Sequence, residues 1–131
     1  MTSPVNILLS GLNAAALRTS VGANNIANAR STAEIQNGKA VNKVFVPQDV
    51  IQISQENGGT SATAVNSTRP PISVYDPNGI TADKNGVVQL PDIDLAQELV
   101  NVQQAASDYK STLKALEIYQ NTQKSLLDVF V

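Results

Sequence analysis

The sequence predicts an α+β fold: two long terminal helices that form an antiparallel coiled-coil-like pair, with a small β-rich insert between them. Three observations predict it. From Asp92 to Val131 the chain contains neither Gly nor Pro, which reads as one long helix. From Val5 to Ala29, apolar and small residues recur at steps of three and four. Between about Val41 and Leu90, β-branched clusters alternate with Gly- and Pro-bearing turns. The three parts divide at 1–33, 34–91 and 92–131.

The first helix opens with Ser3 as N-cap and Pro4 in the first turn, where a missing N–H does no harm. Its seam runs Val5, Leu8, Leu12, Ala15, Thr19, Gly22, Ile26 and Ala29. The seam residues are small, and Gly11 lies beside them. Small residues permit close backbone approach but bury little apolar area, at about 0.8 kcal/mol per methylene. Each internal glycine costs about 1 kcal/mol of helix propensity relative to Ala. Such a helix needs a partner over its seam, either within its own chain or in other copies. Asn24, Asn25 and Asn28 crowd its end; Asn bonds local backbone readily, so the cluster marks a helix terminus or side chains held by neighbours. Asn37-Gly38 follows as a turn.

In the insert, the segments Val41–Val46, Val50–Ile53, Ile72–Tyr75 and Val87–Leu90 are expected as short strands. Asn57-Gly58-Gly59, Pro70-Pro71, Asp76-Pro77-Asn78-Gly79 and Asn85-Gly86 are the turns between them. The stretch from Gly58 to Ser67, rich in Gly, Ser, Thr and Ala, is expected to be a flexible loop.

The last helix begins after Pro91. Asp94 is a suitable N-cap, with Gln97 placed as a capping-box partner. Leu95, Leu99, Val102, Ala106, Tyr109, Leu113 and Leu116 form a heptad seam; Gln120 and Gln123 interrupt it, and Leu127 and Phe130 resume it. At about 1.5 Å per residue, a helix from Asp94 to Phe130 spans roughly 55 Å. A compact domain of 131 residues cannot cover that length, so its partners lie at the other end of the chain, in other copies, or in both.

Composition narrows function. Nine basic and eleven acidic residues give a net charge of −2, and aromatics make up 4 %, which disfavours electrostatic binding of nucleic acid. No apolar run is long enough to span a membrane. The N-terminus lacks the basic region of a secretory signal. With no Cys and no His, the usual general base and the strongest common nucleophile are missing, and only carboxylates, Lys, Tyr and hydroxyls remain for catalysis. These form no catalytic constellation, and no catalytic residue, cofactor or small-molecule substrate is expected. Thr81 to Gly86 with Asp92 has a faint calcium-loop spacing, but Thr stands where the first carboxylate belongs; a plain turn is expected and no metal. Asp92 and Asp94 sit at a helix start, where capping and the helix dipole account for acids. Asp108, Lys110, Lys114, Glu117 and Lys124 are expected on a solvated helix face.

Two sets of motifs carry a family resemblance. The first is Ile7-Leu8-Leu9-Ser10-Gly11-Leu12-Asn13-Ala14, then Arg18, then Val21-Gly22-Ala23-Asn24-Asn25-Ile26-Ala27-Asn28-Ala29. It resembles the start of bacterial flagellar axial proteins, with their Ser-x-Leu helix followed by Asn-(Ile/Leu)-Ala-Asn. The second is Val74-Tyr75-Asp76-Pro77, Ala82-Asp83-Lys84-Asn85-Gly86-Val87-Val88 and Leu90-Pro91-Asp92-Ile93-Asp94-Leu95, continued by Glu98-Leu99-Val100, Ala105 with Tyr109, and Lys124-Ser125-Leu126-Leu127. In that order these are similar to the proximal rod members of the flagellar basal-body rod proteins. The chain departs from the pattern at Arg30-Ser31-Thr32-Ala33-Glu34, where a Thr-x-Gly-Tyr is usual, at Val87, where a Tyr is usual, and at Asp92, where an Asn is usual.

The resemblance implies a structural subunit of the rod, the drive shaft that crosses the periplasm and transmits torque. It implies export from the cytoplasm by the flagellar export apparatus without a cleaved signal, and partners among other copies and other rod proteins. It also implies terminal helices that order as they assemble. Assembly contacts are then expected at Leu8, Leu12, Ala15, Gly22, Ile26 and Asn28 on the first helix, and at Leu95, Leu99, Val102, Tyr109, Leu113 and Leu127 on the second. The alternatives are another axial or junction protein of the flagellum, or a small metal-binding domain or enzyme.

Overall fold

A computed structural model describes residues 3–33, 35–36, 39–40 and 43–129. In chain order the elements are α1 (Pro4–Asn28), β1 (Ile35–Gln36), β2 (Lys39–Ala40), β3 (Gln48–Ser54), β4 (Thr60–Asn66), β5 (Ile72–Tyr75), β6 (Val87–Leu90) and α2 (Leu95–Val129). The strands form three separate antiparallel hairpins, β1–β2, β3–β4 and β5–β6. The α+β class with two long helices around a strand-bearing insert is therefore what the chain adopts.

Local chemistry sets the helix ends. At the start of α1 the N–H groups of Asn6 and Ile7 donate to the Ser3 carbonyl at 2.9 and 3.3 Å. The Ser3 side chain makes no capping bond, so it caps by backbone alone. Asp94 caps α2 through its carboxylate, whose Oδ1 accepts from the N–H of Ala96 at 3.0 Å and of Gln97 at 3.1 Å. Gln97 does not close a capping box: its Nε2 donates forward to Asn101 Oδ1 at 3.1 Å.

The helices run antiparallel. Asn25 meets Glu98, Gly22 meets Val102, Arg18 meets Asp108 and Gly11 meets Thr112. Continued, that register brings Pro4 opposite about Tyr119. Beyond it, residues 120–128 of α2 are all exposed, and the helix projects about 15 Å past its partner.

The insert departs from expectation in two places. The stretch from Gly58 to Ser67 is not a loop: Thr60–Asn66 is β4, paired residue for residue with β3 from Gln48↔Asn66 to Ser54↔Thr60. Its strand character lies in alternation of small residues. Ala62 and Ala64 are turned inward, while Ser61 and Thr63 are exposed. Small inward residues let the hairpin lie close on α1. Gly58 and Gly59, both at φ 88°, supply the left-handed turn that β-carbon-bearing residues resist. Conversely, 43–47 is not a strand; Val44 and Pro47 are buried there, and the Pro47 carbonyl meets the end of the β3–β4 ladder by accepting from the Ser67 N–H at 2.8 Å. Val41, Asn42 and the Asn37-Gly38 turn lie outside the described residues, as does Phe130.

The buried apolar set among the described residues is Leu12, Ala14, Ala15, Val21, Ala33, Val44, Val88 and Ala105. Most are Ala or Val, so the chain holds little apolar mass in its interior, and its stability rests on close approach more than on volume.

Candidate assembly surface

The α1–α2 contact is built from small residues at its centre. A β-carbon on Gly22 would stand 2.5 Å from Val102 Cγ2, so hydrogen at that position sets the helix separation. At Gly11 the equivalent distance, to Thr112 Cγ2, is 3.5 Å, an ordinary contact. The helices are therefore tighter at the Gly22 end.

At that end lies Asn25, fully buried. Its Nδ2 donates to the Gln48 carbonyl at 2.8 Å and to Glu98 Oε1 at 2.9 Å, and its Oδ1 accepts from the Gln48 N–H at 3.0 Å. One side chain thus joins α1, the start of β3 and the first turn of α2, and its amide is satisfied on both sides. Its neighbours serve the helix end instead: Asn28 Nδ2 donates to Asn24 O at 2.9 Å and Oδ1 at 3.1 Å, and Ser31 Oγ donates to Asn28 Oδ1 at 3.2 Å.

Midway along the pair, Arg18 Nη1 donates to Asp108 Oδ2 at 2.7 Å. Gln104 Nε2 donates to the other carboxylate oxygen at 2.9 Å. These two bonds, Gln104 first and then Arg18, hold the Asp108 carboxyl below its ordinary range, against a smaller opposing effect of burial. Asp108 is thus a cross-helix partner rather than part of the solvated face. Lys114 and Glu117 do occupy that face, joined at 2.8 Å.

On α1, Leu12, Ala15 and Gly22 are buried, and Leu8, Ile26 and Asn28 are half-buried. On α2, Val102 is half-buried against α1, whereas Leu95, Leu99, Tyr109, Leu113 and Leu127 are 39, 58, 39, 47 and 67 % exposed. The stripe that α2 turns toward α1 is instead Glu98, Val102, Ala105, Thr112 and Leu116, one position around the helix from most of the heptad. Leu95, Leu99 and Leu113 therefore form a second, outward stripe on the same helix, whereas Tyr109 lies between Ala105 and Thr112 on the α1-facing row, at the margin of the contact and 39 % exposed. Beside it, Ala16, Thr19 and Ser20 of α1 and Ala106, Tyr109 and Lys110 of α2 line an open recess of about 430 Å³.

Arg18, Asn25, Glu98, Ala105 and Thr112 were not among the expected contact residues. A polar residue on an inward stripe looks solvent-facing until its partner is known; the Asn cluster, and the place of Arg18, Glu98 and Ala105 in the family motifs, are the visible signals, and Thr112 carries none. Around the Tyr75 to Gly86 motif, the Asp83 carboxylate accepts from the N–H of Asn85 at 2.8 Å and of Val87 at 2.9 Å, and Gly86 takes φ 74°. The motif residues thus build the β5–β6 turn. Among the described residues no three His, Cys, Asp or Glu side chains gather to hold a metal, and no helix is long and apolar enough to cross a membrane.

No family model matches the chain. Curated proteins do. Over 119 residues, covering 90 % of this chain and 86 % of the relative, it is 34 % identical to the flagellar basal-body rod protein FlgC of Salmonella typhimurium. The protein of the same name from Yersinia enterocolitica matches at the same identity and coverage. That of Borreliella burgdorferi is 27 % identical over 146 aligned positions, covering 97 % of this chain and 95 % of the relative.

Proposed function

The chain belongs to the FlgC family of flagellar basal-body rod proteins, and we propose that the outward stripe of α2 is the surface through which it joins its neighbours in the rod. It is a structural subunit of the basal-body rod, located where the rod crosses the periplasm. The observation that carries the proposed interface is the division of α2 into two stripes. One is satisfied by α1. The other leaves Leu99 and Leu113 about half exposed on a helix that outruns its intramolecular partner. Large apolar side chains are costly to leave in water, at about 25 cal/mol per Å² of apolar area.

In this reading the contacts fall into two groups. Leu8, Leu12, Ala15, Gly22, Ile26 and Val102 hold the helix pair together so that it can be covered, while Asn28 closes the end of α1 through Asn24 and Ser31. Leu95, Leu99, Tyr109, Leu113 and Leu127 meet other copies or other rod proteins. The protein has no catalytic role and reaches the rod through the flagellar export apparatus. Ordering a backbone costs roughly 1–2 kcal/mol per residue, so a pair with so small an interior gains much of its order from its neighbours.

The test substitutes the outward stripe while sparing the inward one. Leu99→Asp with Leu113→Asp should leave the helical circular dichroism of the isolated chain unchanged. It should abolish incorporation into basal bodies and swimming. Normal swimming by that variant, expressed at the normal level, overturns the interface.

A further inference from the structure

The edge of β3 that faces α2 is a strand edge with its first position filled and the next two open. Among the described residues β3 pairs with β4 alone. Two backbone bonds bracket that ladder: Ser67 N–H to Pro47 O at 2.8 Å, and Gln55 N–H to Gly59 O at 3.1 Å. Antiparallel pairs alternate between bonded and non-bonded positions. Asp49, Ile51 and Ile53 therefore bond to β4, and Gln48, Val50 and Gln52 turn their N–H and C=O groups to the other edge.

At Gln48 both groups are taken by the Asn25 side chain, which donates to the carbonyl at 2.8 Å and accepts from the N–H at 3.0 Å. The Asn25 amide stands where a peptide group of a third strand would stand. At Val50 and Gln52 no backbone hydrogen bond from another element is present among the described residues.

These two positions open onto a trench between β3 and α2. Its upper part, about 230 Å³, is lined by Arg18, Gly22, Val50, Glu98 and Asn101 among others; its lower part, about 310 Å³, by Gly11, Ala14, Ala15, Gln52 and Asp108 among others. The floor is made of small α1 residues, which leaves depth for side chains pointing down from a strand above. The charge is acidic: Asp49, Glu98 and Asp108 line the trench against Arg18. Arg18 is held by Asp108 at 2.7 Å, and Asp49 lies 3.6 Å from Arg69 outside it.

We propose that this edge receives an extended polypeptide segment as a third strand, continuing the row that Asn25 begins. The segment carries small side chains and a basic one on its downward face. Its backbone supplies affinity at Val50 and Gln52, and its basic side chain answers the acidic trench. The β3 edge and its trench are separate from the outward stripe of α2 and would receive such a segment whether or not that stripe meets the rod.

The test titrates the isotopically labelled full chain with an acetylated Thr-Lys-Thr-Ala-Thr amide and follows backbone amides by NMR. Saturable shifts centred on Val50 and Gln52 are expected. The same peptide N-methylated at alternate residues should bind about tenfold more weakly, because it cannot complete both positions. Replacing its Lys by Glu should also weaken binding. Val50→Pro removes one edge donor and leaves the β4 ladder bonded, as proline on an edge strand does; about a fivefold loss is expected. The N-methylated peptide keeps the test decisive if that variant misfolds. No saturable shift up to about 5 mM, equal binding of the N-methylated peptide, or shifts confined to β4 overturns the proposal. So does concentration-dependent dimerisation through this edge, which would make a second copy the occupant.

Discussion

The two ends of the helix pair are built differently. At one, Gly22 brings α1 against Val102 with no room for a methyl group, and Asn25 ties α1, β3 and α2 through one buried amide. At the other, Gly11 faces Thr112 with ordinary clearance, and α2 continues past about Tyr119 with residues 120–128 exposed. The first end is closed by contacts the chain makes with itself. The second stays uncovered by the chain itself, and in the proposed reading it is where neighbours pack. On that reading the closed end fixes the subunit's own geometry and the open end is covered by its neighbours.

The largest expected effect lies at the closed end. Asn25→Asp keeps the shape but loses both donated hydrogen bonds and sets a carboxylate beside Glu98. Leaving the half-buried Gln48 carbonyl unpaired and opposing two like charges should destabilise the chain by about 3 kcal/mol in urea unfolding. Adding Glu98→Gln removes the repulsion and restores a donor toward Asp at 25, so the double variant should recover about 1 kcal/mol. A loss under about 0.5 kcal/mol for the single variant would mean that the amide does not hold the three elements together.

The two glycines give an internal contrast of opposite sign. Gly22→Ala gains about 1 kcal/mol of helix propensity but forces a methyl against stiff Val102, an overpacking cost of about 1–3 kcal/mol, so the net change is destabilising by about 1 kcal/mol. Gly11→Ala meets no such obstacle and should stabilise by up to about 1 kcal/mol. Paired thermal melts decide it. Equal shifts of the same sign would erase the difference between the ends.

The same contrast explains what could be read from the sequence. The seam of α1 was legible because Leu12, Ala15 and Gly22 are small or apolar and lie inward. On α2 the apolar heptad marked a real stripe, but the stripe facing α1 includes Glu98 and Thr112. Their polarity is met by Asn25 and by an i−4 bond to the Asp108 carbonyl at 2.8 Å, respectively. Periodicity records which residues are apolar, not which apolar row meets the nearest partner. β4 escaped for a related reason: Ala62 and Ala64 alternate as a strand requires, yet Ala carries little strand propensity. The Asn cluster announced held side chains without saying that Asn25 alone would be buried. That depends on where Gln48 and Glu98 come to lie.

Between the ends, the Arg18–Asp108 pair should respond to acid. The Asp108 carboxyl is held below its ordinary range by Gln104 and then Arg18. Its contribution is therefore fully present above the unfolded value of about 3.9, and is lost as pH falls through the lower folded value. The Gln104 bond lies within α2, so only the Arg18 part belongs to the helix pair. Asp108→Asn should give a shallower fall in stability below about pH 4 than the parent chain, with little difference at pH 7 beyond the lost pair. Superimposable acid limbs would show that the pair adds nothing to the midsection.

The smallest expected effect on the isolated chain is also the sharpest test of the comparison. Ending the chain after Tyr119 removes the projecting part of α2, whose described residues 120–128 are exposed and include Leu126 and Leu127 at 51 and 67 %. They bury almost nothing against their own chain, so the melting temperature of the shortened monomer should stay within a degree or two of the parent's, beyond the loss of a fraying helix end. If neighbours cover those leucines in the rod, the shortened chain should nevertheless fail to complete basal bodies. A marked loss of monomer stability would mean that the projecting segment folds back onto its own chain, and the open end would then be closed as well. Unchanged stability with normal swimming would confine the rod contacts to the Leu95–Leu113 stripe. Only unchanged stability together with failed assembly fits a molecule whose two ends serve two different partners.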